Sequence, residues 1–187
     1  MLERAPNDQV RPLLAAWRGG DRSARDRLFA ILYDELQRTA AAMLRGERDV
    51  SLSIGDLVHE TIIKLIALNE IDWQDRAHFM ALTSVMMRRA LLEHVRAKRT
   101  DKRRHQKVEL MTSLADAPNA DLDDVNDALE RLSRIDPERA EIVEMRYFGG
   151  MEIADIAVVL NLSESTVKRR WQAARLWLYE ALQPQDG

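Results

Sequence analysis

The feature that most constrains this chain is the stretch EIADIAVVLNLSESTVKRRWQAAR, residues 152–175. It reads as a short apolar helix, a tight corner and a second helix loaded with Lys and Arg. Such a pair fixes a tertiary geometry as well as a secondary structure, because two helices joined by so few residues must cross closely. Ile156 and Leu160 are expected to face the core, and Ala157 is small where the second helix must approach. Asn161 falls at the corner, where a left-handed backbone is required and Asn is tolerated better than most non-glycine residues. Leu162 plugs the corner and Ser163 caps the helix that follows. Val167, Trp171, Ala174 and Leu178 lie on one face and are expected to pack inward. Ser165, Thr166, Lys168, Arg169 and Gln172 form the other side. Arg and Lys donate to guanine edges or phosphates, and Gln can pair with adenine. The plainer reading of the same spacing is an amphipathic pair with a solvated basic face.

The rest of the chain follows the same helical logic. Val10, Leu13, Leu14 and Trp17 have helical spacing, ended by Gly19-Gly20. A helix after Asp21 or Ser23 carries Leu28, Leu32, Leu36, Ala40 and Met43 on one face. A third begins at the N-cap Ser53 and places Leu57, Val58, Ile62, Leu65 and Ile66 inward. A fourth runs from about Arg76, with Phe79, Leu82, Met86, Ala90 and Val95 inside. Val125, Leu129 and Leu132 mark a fifth. Asp136-Pro137 starts a sixth, with Asp as cap and Pro at the first helical position, and it runs to about Tyr147 before Gly149-Gly150. The fold class expected is all-α.

The net charge is only −3, but its distribution is uneven. Residues 86–104 carry eight Lys or Arg against Glu93 and Asp101, a net of about +6. Residues 109–127 hold six acids and no Lys or Arg. With Pro118 and Asn119 and no helical period, roughly 106–122 reads as a flexible linker between a domain at 8–105 and one at 123–183. Two basic helical surfaces on a flexible tether suit a protein that touches two separated DNA segments.

Other classes have little support. There is no Cys, which excludes disulfides and thiolate metal sites. His59, His78, His94 and His105 lack metal-ligand spacing, and His59 and His94 are expected to face solvent or a satisfied partner. No Gly-rich phosphate loop or Ser/His/acid set is present, so neither enzyme, metal nor cofactor is expected. The first residues lack a signal-peptide core, and the densest apolar run, IIKLIAL, is broken by Lys64. No run approaches the roughly 20 residues that span a bilayer, so no membrane contact and a cytoplasmic location are expected.

The segments LLAAWRGGDRSARDRLFAILYDELQR, DLVHETIIKLI, WQDRAHFMALTSVMMRRALLEHVRAKRTDKR and ERAEIVEMRYFGGMEIADIAVVLNLSESTVKRRWQAARLWLYEAL, in that order, cover nearly all of the chain. They resemble a bacterial RNA polymerase sigma factor of the extracytoplasmic-function (ECF) type, within the sigma-70 family. The resemblance implies two small helical bundles. The first is a sigma-two-like domain that docks on the clamp helices of the polymerase β′ subunit and captures the melted −10 element. The second is a sigma-four-like domain that reads the −35 element and contacts the β flap, with the linker threading through core RNA polymerase.

On that resemblance, Asp56 and Glu60 of DLVHET match the core-binding helix. Trp73, Arg88, Arg89, Arg96, Lys98 and Arg99 match the part facing −10 DNA, whereas Phe79 is expected in the core. Ser165, Thr166, Lys168, Arg169 and Gln172 match the −35 reader. The partners implied are core polymerase, promoter DNA and a regulator, either an anti-sigma factor or a Ser/Thr kinase. A stand-alone helix-turn-helix regulator, binding duplex operators unaided, is the alternative.

One departure stands out. The family is usually acidic just before DLV, yet here the residues are Ser53-Ile54-Gly55-Asp56, preceded by Ser51. Ser51, Ser53 and Thr61 are therefore candidate phosphorylation sites, since a phosphate of about −1.5 to −2 charge is well placed at a helix N-terminus. The chain as read carries no sensing extension, so regulation is expected from a partner, a modification or expression level.

Overall fold

The computed structural model describes residues 6–45, 52–68, 74–101 and 122–183, with the side chains of the helix at 76–101 described as far as Ala97. Among these residues there are eight α-helices and no strand. The first four are α1 (Asn7–Arg18), α2 (Arg22–Leu44), α3 (Ile54–Ala67) and α4 (Arg76–Asp101). The C-terminal half holds α5 (Leu122–Ile135), α6 (Pro137–Val143), α7 (Ile153–Leu160) and α8 (Glu164–Leu182). A single π-helical turn, Glu144–Phe148, follows α6.

Local chemistry sets most boundaries. Asp21 caps α2 by accepting from the Ser23 and Ala24 amides. Asp136 accepts from Arg139 N–H ahead of Pro137, as expected of an Asp-Pro start. Gly20 takes φ +94° after α1, a conformation open to glycine. Asp75 accepts from the His78 amide at 3.0 Å and from its Nδ1 at 2.9 Å, which fixes the start of α4. Burial alone would raise the Asp75 carboxyl, but the hydrogen bonds from the His78 side chain and backbone outweigh it and hold it below the usual range.

The apolar faces largely match the helical spacing. Leu28, Leu32, Leu36, Ala40 and Met43 of α2 are buried, as are Phe79, Ala90 and Val95 of α4. Three expectations need correction. Ile66 was expected inside but is exposed, because α3 turns Leu57, Val58, Thr61 and Leu65 inward and leaves Ile63 and Ile66 on its outer side. Leu160 and Trp171, like Ile62, Leu82 and Met86, pack against the core but are only partly buried rather than enclosed. The helix after Pro137 gives way at Glu144 to the π-turn rather than continuing as α-helix to Tyr147.

The two halves pack along α4. One apolar cluster runs from Val10 and Leu28 through Phe79 and Leu91 into Val125, Leu129, Val143, Phe148 and Leu178. A second joins Ala77 and Ala81 of α4 to Ile142, Met145, Met151, Ile156, Ala157 and Val167. Gly149 sits where α4 comes closest. A Cβ there would lie 2.7 Å from Ser84 Oγ and 2.6 Å from the Met145 carbonyl oxygen, so the approach requires glycine.

Candidate nucleic-acid and protein interfaces

The corner between α7 and α8 has the geometry expected of it. Asn161 adopts φ 52°, ψ 46°, the one non-glycine residue of positive φ among those described. The turn closes through Leu162 N–H, which donates to the Ala157 carbonyl at 2.9 Å. Ser163 caps α8 by accepting from Thr166 N–H at 3.2 Å. Val167, Ala174 and Leu178 are fully buried and anchor α8.

With that anchor, the opposite face is presented to solvent. Ser165, Lys168, Arg169 and Gln172 are exposed, and Thr166 is half-buried beside the cap. Glu164 lies 3.5 Å from Lys168 one turn on, a surface pair of small energetic consequence. Arg170 points the other way and pairs with Glu138 at the start of α6. The structure thus separates Arg170, which ties α8 to α6, from Lys168 and Arg169, which stay on the exposed face. A helix of this kind can place donors on base edges and phosphates at once.

On α3, Ser53 and Asp56 form a reciprocal capping box. Asp56 N–H donates to Ser53 Oγ at 3.1 Å, while Ser53 N–H donates back to Asp56 Oδ2 at 3.0 Å. The Ser53 hydroxyl, then its amide, holds the Asp56 carboxyl below its ordinary value. Glu60 accepts from His94 Nε2 at 2.8 Å and lies 2.9 Å from Lys64, which also reaches Glu93. These contacts, His94 first, hold the Glu60 carboxyl low as well. Asp56, Glu60, Ile63 and Ile66 share the outward side of α3, with Ile63 67% exposed. Uncovered apolar side chains rimmed by charged ones are a composition that a protein partner can cover.

The other sequence-predicted residues divide. Arg89 and Arg96 are exposed on α4. Arg88 is not: it is 8% exposed, and its side chain points into the boundary between the halves. In this arrangement Glu144 and Asn126 occupy its donors, so Arg88 is not presented to solvent with Arg89 and Arg96. Thr61 is fully buried and its hydroxyl donates to the Leu57 carbonyl at 2.7 Å, so no kinase could reach it here. Ser53 is exposed. Trp73, Ser51 and the side chains of Lys98 and Arg99 lie outside the described residues.

Sequence reasoning missed Glu144, Asn126 and Asp155 as partners of the α4 arginines. Asn126 carried the one available signal, a polar residue between Val125 and Leu129 on a helix with a strongly apolar face. Among the described residues, no helix is long and apolar enough to cross a membrane, and no cluster of three metal-ligating side chains occurs.

The sequence model of the ECF sigma factor family matches residues 7–184. No curated protein matches. Among solved structures, one titled as the structure of CnrH in complex with the cytosolic domain of CnrY is similar at 24% identity. The match covers 93% of this chain and 97% of that one, with a TM-score of 0.45.

Proposed function

The chain belongs to the ECF sigma factor family, and from that premise we propose that it binds core RNA polymerase and directs initiation at promoters of its own class. No covalent chemistry is involved. The C-terminal half anchors the polymerase upstream by reading a −35 duplex through Ser165, Thr166, Lys168, Arg169 and Gln172. The N-terminal half, 8–105, docks on the β′ clamp helices through Asp56 and Glu60 and stabilises the opened −10 strand through Arg89, Arg96 and their neighbours. The site of action is the cytoplasm.

The observation that carries the reading is the exposed polar face of α8 following the left-handed corner at Asn161. The uncovered side of α3, where Ile63 and Ile66 adjoin Asp56 and Glu60, supports a protein partner for the other half. Regulation by a Ser/Thr kinase is proposed at Ser53, which is exposed at a helix N-terminus; a phosphate there would displace its capping bond and meet the Asp56 carboxylate, so it would act by remodelling the start of α3. An anti-sigma factor is the other regulator class. The test is footprinting of the reconstituted holoenzyme. Arg169→Ala is expected to weaken protection of the upstream element, whereas Arg89→Ala is expected to reduce permanganate reactivity of the opened strand. Unchanged footprints in both would count against the assignment.

A further inference from the structure

Arg88 makes three polar side-chain contacts, and all of them cross to the other half. Its Nε and Nη2 donate to Glu144 Oε1 at 2.7 and 2.5 Å. Its Nη1 donates to Asn126 Oδ1 at 2.5 Å. Asn126 is itself oriented by Glu130, which accepts from its Nδ2 at 3.0 Å and leaves the carbonyl oxygen toward the arginine. The guanidinium carbon lies 5.4 Å from the centre of the Phe148 ring. The π-turn brings Glu144 and Phe148 to the same cation. Further ties run alongside: Arg96 lies 3.5 Å from Asp123 and 4.0 Å from Asp127, and Arg76 lies 3.6 Å from Asp155 of α7. Gly149 fits against Ser84 in the same seam.

Glu144, Asp123 and Asp127 thus supply carboxylates to arginines of the basic block, the role that phosphates of a nucleic acid would otherwise take. We propose that the free chain is self-latched: its C-terminal half docks on the basic face of α4 and withholds Arg88 until the halves part. The latch rests on the reading of α4 as a DNA face for its consequence, but not for its existence. A nucleic acid binding α4 would have to compete with the internal carboxylates, so its apparent affinity for the free chain is reduced by the fraction that is open.

Arginine modification by phenylglyoxal, read by peptide mass spectrometry on the intact wild-type chain without DNA, tests the latch. Arg89, next in sequence and exposed, is the internal control. Arg88 is expected to react about tenfold or more slowly than Arg89. Equal rates in the folded protein would overturn the proposal, whatever any variant does. Glu144→Gln removes the carboxylate and leaves every cation in place. With helical circular dichroism retained, it is expected to raise the Arg88 rate toward that of Arg89 and to enlarge the radius of gyration in small-angle scattering. A folded variant with Arg88 still protected and no change in size would also overturn it. Binding of a mixed-sequence single-stranded oligodeoxynucleotide separates the two readings. A variant with reactive Arg88 and tighter oligonucleotide binding supports both, whereas a reactive Arg88 with unchanged binding refutes α4 as a nucleic-acid face and supports the latch alone.

Discussion

Replacing Asn161 tests the corner on which the proposed DNA-reading surface depends. Its backbone lies at φ 52°, ψ 46°, where a Cβ crowds the following carbonyl. That crowding costs an ordinary residue about 1–2 kcal/mol, and Asn recovers part of it. Asn161→Ala is therefore expected to destabilise by about 1 kcal/mol. Asn161→Val, β-branched at a left-handed position, is expected to cost about 2 kcal/mol. Asn161→Gly removes the crowding but loosens the unfolded chain, so it should stay within about 0.5 kcal/mol of wild type. The ordering Gly, then Ala, then Val is the diagnostic, because a cost due to lost side-chain contacts would make glycine the worst of the three. For a chain of this size, 1 kcal/mol corresponds to about 2–4 °C in Tm. Differential scanning calorimetry would read it, with chemical denaturation as a check. An alanine variant at wild-type stability, or a glycine variant less stable than valine, would refute the left-handed corner and with it the placement of Lys168 and Arg169.

Three further outcomes follow from the same geometry. Leu178→Ala, at a fully buried position of α8, is expected to cost about 2–5 kcal/mol in denaturant unfolding, since it opens a cavity beneath that helix. Lys168→Ala and Arg169→Ala, both exposed, should leave stability within about 0.5 kcal/mol. Each should lower the salt dependence of holoenzyme binding to promoter DNA by about one counterion where it contacts a phosphate. Asp75 and Glu60 are both held below their ordinary carboxyl values. Their stabilising contribution is complete above about pH 4–4.5 and is lost as the pH falls through the lower folded values, because the unfolded state then binds more protons. Thermal melts between about pH 6 and 3 should show that fall, and Asp75→Asn should flatten it.

How much was legible in the sequence depended on how local the determinant was. The capping residues Asp21, Ser53, Asp136 and Ser163 bond amides two or three positions away, so their roles could be read from short windows. The corner at Asn161 was legible for the same reason. Arg88 was not. A basic block announces its charge but not which of its members turns inward, and the partners that bury Arg88 lie 38 and 56 positions further along. Ile66 misled because α3 is apolar on more than one side, and periodicity alone does not say which side is covered. The π-turn ends at Gly149, where the chain meets Ser84 of α4, a tertiary contact that helical spacing cannot express. Thr61 looked like a modifiable hydroxyl until its place over Leu57 was seen.

The central claim, that this chain starts transcription by bridging polymerase and promoter, is tested most directly by transcription in vitro. Purified chain, core RNA polymerase and fragmented genomic DNA would be combined and the 5′ ends of the transcripts mapped. Discrete starts sharing two spaced upstream elements are the predicted result, with the upstream element lost on Arg169→Ala. No starts, together with no association between chain and core polymerase, would contradict the account.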